Sequence, residues 1–425
     1  MKYTLKIASE FISRFRGILL VGIAFGIVVF IFLKIVAPIL FTKEAEKIGI
    51  TGRYRVEEIP SYILSDVSQG LTKVTPNGEV AAALATNWQA SDQGKVWLFH
   101  LKDGLLWQDG SKITADSIKY NFQDVQVSYP DSKTIKFELQ NPFSPFPTTL
   151  SKTVFKKGLL GVGPWKVSGL SLAGGFVEKI TLTDKDGNRK IYKFYPNLER
   201  TKLAFELGEV NIIYDMLDPK PFDTWSTVKI KKTASDDRFV AVFFNSETVD
   251  KTTRQALSYT IDKSKFQEER ALGPLSPNSW AYNPQVKPYD YDKSKAEDLK
   301  NLTIKLTTTA PLISVAEKIV KNWKDLGIKA DIQVSSVVPE DYQAFLAIYD
   351  IPTDPDQYTI WHSTQAVTNI SKYKSPRIDK LLEDGRTELD PEKRKGIYLD
   401  FQRFLLEDSP AAFLYHPYSY TITRK

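Results

Sequence analysis

Cysteine is absent from all 425 residues. No disulfide, thiolate metal site, cysteine nucleophile or lipid-bearing N-terminal cysteine is therefore available to this chain. Histidine is nearly absent: His100, His362 and His416 are the only three, and they stand far apart. No H-E-x-x-H, G-x-S-x-G or Walker A sequence occurs, so metalloprotease, serine hydrolase and ATPase chemistry have no motif to stand on. The net charge of +6 is spread among 51 carboxylates. Without an arginine-rich stripe or zinc-finger spacing, it implies no nucleic-acid partner. Internal repeats and low-complexity tracts are missing, and there is one long apolar run.

That run is at the start. Gly17 to Leu33 is apolar or small, and after Lys34 it continues from Ile35 to Phe41, enough to cross about 30 Å of hydrocarbon. Lys2, Lys6, Arg14 and Arg16 precede it against Glu10, whereas Lys43 and Lys47 beyond it are balanced by Glu44 and Glu46. The positive-inside rule puts the N-terminus in the cytoplasm and the rest of the chain outside, as a single-pass anchor in the cell membrane. A cleaved signal peptide is the competing reading, but Ile35-Val36-Ala37-Pro38 is a poor cleavage site. Gly22 and Gly26 form a G-x-x-x-G through which two such helices can touch.

The remainder has the composition of an ordinary globular protein, long enough for two or three domains at about 150 residues each. Between Gly70 and Phe122 its punctuation is dense. Pro76-Asn77-Gly78 is a turn, and Val80 to Trp88 reads as helix or loop. Val96 to Leu101 is a strand of branched and aromatic residues, and Leu105 to Trp107 a short one. Thr114 reads as the N-cap of a helix through Ala115-Asp116-Ser117 to Phe122. This order resembles the N-terminal signature of the family-5 extracytoplasmic solute-binding proteins, the oligopeptide- and dipeptide-binding subunits of ABC importers. The matching pieces are Gly70-Leu71, Asn77-Gly78-Glu79, Ala83-Leu84-Ala85, Trp88, Phe99-His100-Leu101-Lys102, Asp109-Gly110 and Thr114-Ala115-Asp116.

Further along, strands are expected over Thr134 to Leu139, Gly161 to Val167, Glu178 to Thr183 and Arg189 to Phe194. Gly161-Val162-Gly163-Pro164-Trp165 resembles the family's Gly-x-Gly-Pro-Tyr segment, and Pro164 argues against a phosphate loop. Glu199 to Leu207 reads as a helix closed by Gly208, and Glu209 to Ile213 as a strand. Phe239 to Asn245 is a strongly apolar strand, followed by the Arg254-Gln255-Ala256-Leu257 helix ending at Ile261-Asp262. Leu302 to Thr307, the helix Ile313 to Leu326 and Ile328 to Val334 form a parallel crossover. Asp341 to Leu346 reads as the start of a helix, and Pro391 to Glu407 as a long one. Trp280-Ala281-Tyr282, Asp354-Pro355, Asn369 and Ser375-Pro376-Arg377-Ile378-Asp379 continue the resemblance in family order.

The resemblance implies an α/β chain with the two-lobed periplasmic-binding-protein-like (class II) fold and mixed sheets, preceded by one transmembrane helix. Its expected divisions are residues 1–16 in the cytoplasm, 17–41 in the membrane, 42–53 as a stalk, 54–244 and 348–425 as lobe I, and 245–347 as lobe II. Residues 124–200 would be a shortened subdomain of lobe I. The implied function is peptide capture in the interlobe cleft and delivery to an ABC permease and its ATPase subunits, with no catalysis and no cofactor. In peptide-binding relatives an aspartate near the Asp-Pro element pairs with the ligand's α-amino group. Asp350 and Asp354 both match, with Asp350 preferred; turn capping is the alternative role for Asp354. Loss of either pairing is worth about 1.5–3 kcal/mol of affinity. Tyr358, Trp361, Trp280 and Tyr282 are candidate aromatic walls, and Asn369 a candidate partner of a peptide backbone. A nickel chelate or sugar as solute, a sensor that keeps the fold without transport, and an extracellular hydrolase are the competing functions.

Overall fold

The computed structural model of the chain describes residues 2–32, 34 and 45–425. Helix Lys2–Ile31 contains the apolar run as far as Ile31, and its part Arg14–Ile31 is long and apolar enough to span a membrane and is not buried by the other described residues. No atom lies within 4 Å of a Cβ placed on Gly22 or Gly26. Residues 35–41 of the expected span and 42–44 of the expected stalk lie outside the described residues.

The rest of that stalk is not a stalk. Glu46–Thr51 is a strand with Ile48, Gly49 and Ile50 buried. Gly49 is where it is because of a close approach, since a Cβ there would lie 3.0 Å from Thr201 and 3.1 Å from Val210. The strand sits inside a seven-stranded sheet. From one edge the order is Val228–Ala234, Tyr418–Arg424, Ile212–Met216, Glu46–Thr51, Arg189–Tyr195, Phe176–Thr183 and Lys166–Ala173. Glu46–Thr51 runs parallel to both neighbours, and every other pairing is antiparallel.

A second sheet has six strands in the order Glu269–Arg270, Ala411–His416, Arg238–Phe244, Ala344–Asp350, Thr303–Thr308 and Lys329–Val334. Its central strand Arg238–Phe244 is buried on both faces, which is why it reads as a continuous apolar run rather than an alternating one. Val240, Val242 and Phe244 face helices Lys251–Thr260 and Ile313–Asp325. Phe239, Ala241 and Phe243 face helices Pro376–Thr387 and Pro391–Asp408. Helix Ile313–Asp325 buries the Ala316, Ile319, Val320 and Trp323 stripe expected of it, and Gly327 beyond it has φ of 84°. The crossover to Lys329–Val334 is parallel.

A four-stranded antiparallel sheet, Ala85–Ser91, Val96–Leu101, Thr134–Leu139 and Val125–Ser128, packs a third core of aromatic residues around Phe99, Phe137 and Phe146.

The sheets draw the boundaries differently from the expectation. Arg238–Phe244 and Ala344–Asp350 pair with each other, so divisions at 244 and 347 would cut one sheet. The chain passes between the large sheets at Ser235-Asp236-Asp237 and at Pro417, and only Tyr418–Arg424 returns to the first lobe. Residues 124–200 are likewise shared between the four- and seven-stranded sheets.

Three local expectations are corrected. Val80 to Trp88 is extended: Val80–Ala82 pairs with Thr72–Val74 across the Pro76-Asn77-Gly78 turn, and Ala85–Ser91 is a strand. The helix after Thr114 is one turn, Ala115–Ser117, closed by the Ser117 hydroxyl accepting from the Thr114 amide at 3.0 Å. Ile118, Tyr120 and Phe122 then alternate into the aromatic core with period two, the signature of extended chain. Asp341 to Leu346 is no helix either, because Ala344–Asp350 is a strand with most of its side chains buried. Periodicity alone does not separate such a run from a buried helix.

Candidate functional site

Between the two large sheets lies a cavity of about 780 Å³. Its floor is one face of the seven-stranded sheet. Lys231 and Thr233 on one edge strand and Ser419 and Thr421 on its neighbour are alternate residues, so they share that face. Thr233 is registered directly against Ser419 and Lys231 against Thr421. Lys190 and Tyr192 continue the floor on the far side of Glu46–Thr51. The opposite wall comes from the second lobe: Leu275, Ser276, Asn278 and Ser279, and the Ile351-Pro352-Thr353 segment.

Tyr214 and Asp215 both line the cavity although they are consecutive. A regular strand would send them to opposite faces, but the register of Ile212–Met216 against Tyr418–Arg424 slips between Ile213 and Met216. Asp215 takes φ of 60° at that bulge. Bulges re-aim side chains in this way, and aspartate is among the residues that tolerate the left-handed region.

The re-aimed carboxylate meets Arg238, first residue of the second lobe's central strand. Nη1 and Nη2 of Arg238 donate to the two Asp215 oxygens at 2.9 and 2.6 Å, and Nε lies 3.2 Å from Asp350. The hydrogen bond and charge of Asp215 push the Arg238 pKa up, despite part burial. Arg238 therefore joins a carboxylate of the first lobe to one of the second. Nearby, Lys190 pairs with Asp66 at 2.6 Å and lies over the Trp165 ring, and the Asn278 amide donates to Asp236 at 2.8 Å. Burial first, then the charge of Asp66, pushes the Tyr192 phenol up. The crossing segments are also fastened to each other and to the second lobe: the Ser235 amide donates to Pro417 O at 3.0 Å and the Ile351 amide to Asp237 O at 2.7 Å, while within the second lobe the His416 ring donates to Arg238 O at 2.7 Å.

One end of the cavity is closed by the Pro76-Asn77-Gly78 turn. Asn77 O accepts from the Trp280 amide at 3.0 Å, and a Cβ on Gly78 would lie 3.1 Å from Thr353 O. Beyond the turn is a smaller cavity of about 440 Å³, walled by Trp88 and Trp280.

The expected site residues separate widely. Asp350 ends its strand one residue before the lining residue Ile351, with its side chain 88% exposed. Asp354 is buried and spent on structure: Arg394 donates to both its oxygens at 3.0 and 2.5 Å, and it accepts from the Asp356 amide at 2.9 Å. Trp280 belongs to the smaller cavity. Trp361 is fully buried, its ring stacked on Phe243 and its indole donating to Gln357 at 3.2 Å. Tyr358 is stacked between His362 and Arg386. Asn369 is buried and holds Tyr373 O at 2.8 Å, closing a turn. Tyr282 packs against the second-lobe core. None of Trp361, Tyr358, Asn369 and Tyr282 lines the interlobe cavity: after Pro355 the chain turns inward to its own lobe, and Tyr282 lies against the same core.

Arg238, Asp215, Tyr214, Tyr192 and Lys231 escape a motif search. The signal present in the sequence is polar alternation: Lys229, Lys231 and Thr233 share one face of their strand, and Ser419, Thr421 and Thr423 one face of its neighbour.

Comparison with known proteins bears on the family and the fold. The family model for bacterial extracellular solute-binding proteins, family 5 Middle, matches residues 79–369. The chain is similar to the probable D,D-dipeptide-binding periplasmic protein DdpA of Escherichia coli strain K12, with 22% identity over 79% of each chain. It is similar to the oligopeptide-binding protein OppA of Bacillus subtilis strain 168, with 21% identity over 84% of each. Among solved structures, NikZ from Campylobacter jejuni in complex with Ni(L-His) has a TM-score of 0.72 at 23% identity, covering 90% of this chain and 94% of that one. The fold is the mixed α/β fold of the periplasmic binding proteins.

Proposed function

The chain belongs to family 5 of the bacterial extracellular solute-binding proteins, and from that membership we propose that it captures peptides outside the cell for an ABC importer. The solute would lie in the interlobe cavity and be handed intact to a permease whose ATPase subunits supply the energy. Helix Lys2–Ile31 would keep the capture domain at the membrane, with the N-terminus in the cytoplasm. The observation that carries the reading is the cavity itself: about 780 Å³ between two lobes joined at two short crossings. That volume falls in the range of enclosed small-molecule sites, roughly 300–1,000 Å³, and suits a short peptide better than a long one. Hydroxyls on the floor and charges of both signs at the rim suit a zwitterion with a polar backbone. In this reading Asp350, one residue before the lining residue Ile351, would receive the amino terminus in a charge-assisted bond.

Mass spectrometry of the solute carried through purification of the full chain in detergent tests this. Short peptides in stoichiometric amount are expected. A sugar or a nickel chelate in their place would sink the peptide assignment while leaving the family membership untouched. Incubation of the bound peptide with the protein is expected to return it uncleaved.

A further inference from the structure

Arg238 has three contacts to two carboxylates, and they are unequal. The terminal nitrogens form a fork on Asp215, the geometry in which guanidinium and carboxylate match best. Only Nε is left for Asp350, at 3.2 Å, and Asp350 is the most exposed of the three groups, its side chain 88% exposed against 43% for Asp215 and 23% for Arg238. The fork depends on the bulge, because Asp215 reaches Arg238 through a left-handed residue that a regular strand would not contain. Backbone held in that region persists when its surroundings over-determine it, and it clusters at working sites.

We propose that Arg238 competes with the ligand's ammonium group for Asp350, and that Asp215 sets the strength of that competition by holding the guanidinium back. The proposal rests on the reading that Asp350 receives the amino terminus of a peptide. It makes Arg238 and Asp215 specificity-determining residues for free-amine ligands. With Asp215 in place the fork holds both terminal nitrogens and leaves only Nε on Asp350, so Asp350 remains available to the ligand. Without Asp215 the whole guanidinium is free to take Asp350 bidentately, and an incoming ammonium must displace it. An N-acetylated ligand offers no ammonium and would not feel the difference.

Calorimetric titration of the full chain in detergent decides it, using a defined library of free-amine tri- and tetrapeptides and their N-acetylated counterparts. Arg238→Gln is expected to tighten free-amine peptides by about 3–10-fold, and Asp215→Asn to weaken them by a similar factor. In the double variant Asp215→Asn is expected to be silent, since it acts through Arg238. Asp350→Asn should abolish both effects, and acetylated peptides should show neither. Melting temperatures confirm that each variant folds. Weakening by both single variants, or additive effects in the double variant as a plain field effect would give, overturns the proposal while peptide binding stands. No binding of any library member by the unaltered chain overturns the peptide reading, and this proposal with it.

Discussion

Asp350 and Asp354 stand four positions apart, the one ending its strand and the other in the loop that follows, and their surroundings give them opposite work. Asp354 shares a buried site with Arg394, whose pKa is lowered by burial but raised, on balance, by that carboxylate. Removing one member of such a pair strands a buried charge, at a cost of about 3–5 kcal/mol. Asp354→Ala should therefore lower stability by that order in chemical denaturation, whereas Asp350→Ala should change peptide affinity and leave the unfolding midpoint near that of the unaltered protein. A second buried cation titrates. Burial, with Arg270 adding to it, pushes the Lys263 ammonium down to about 7 against the pull of Asp290 and Asp262. Its Nζ donates to the carbonyls of Ser258, Ile261 and Tyr289. Between pH 7 and the unfolded value near 10.5 the unfolded chain holds more protons at this position, so stability rises with pH there and falls as pH drops toward 7. The slope from one such group is at most about 1.4 kcal/mol per pH unit. Denaturation midpoints at pH 7, 8 and 9 should rise in the unaltered protein and lose that rise in Lys263→Met.

At the scale of elements, the Gly161-Val162-Gly163-Pro164 segment shows how a sequence signature acquires a physical meaning. It is not a strand, which begins at Lys166. It lies backbone to backbone on the end of helix Ser61–Val67. The Gly163 amide donates to Val67 O at 2.7 Å, and the Gln108 side chain donates to Gly163 O at 2.9 Å and Trp165 O at 2.7 Å. A Cβ on Gly161 would lie 2.2 Å from Val67 O, and one on Gly163 would lie 2.4 Å from Asp66 O. Backbone must move to admit either, so Gly163→Ala should destabilise by about 1–3 kcal/mol. Because Asp66 lines the cavity, the same variant should also weaken ligand binding; unchanged stability and affinity would show that this contact gives way easily. Elements of this kind explain what was legible beforehand. The Ile313–Asp325 helix and the Arg238–Phe244 strand are readable because burial on one face writes a period into the chain and burial on both writes an unbroken apolar run. The extended run Ile118 to Phe122 was misread because a capping threonine is a local signal, and the tertiary aromatic core overrides it.

For the whole molecule, the scaffold was more legible than the site because the scaffold is written in turns and periodic burial. The site depends on what the fold brings together from afar. Arg238 and Asp215 belong to different sheets, and the slip in register that turns Asp215 toward the cavity has no mark in the sequence. Where a membrane anchor would hold the chain is likewise a matter of the fold. Fourteen residues, 32–45, separate the end of helix Lys2–Ile31 from strand Glu46–Thr51, and they reach at most about 50 Å even when extended. That strand is interior to the seven-stranded sheet, so an anchor at helix Lys2–Ile31 would hold the first lobe by its middle, with the second lobe joined to it covalently through the two crossings alone. Closure of the second lobe over a solute would then proceed without moving the anchored lobe, and membrane attachment and binding should be separable. The full chain is expected in the membrane fraction, resisting extraction by high salt and alkaline carbonate, with a mass that includes residues 1–31. A chain from residue 45 onward should be soluble and bind the same peptides with affinity within about twofold of the full chain, since the described residues of the helix contribute nothing to the lining of the cavity. A mature mass lacking the apolar run would convert the anchor into a signal peptide, and a large loss of affinity on its removal would mean that the tether takes part in closure.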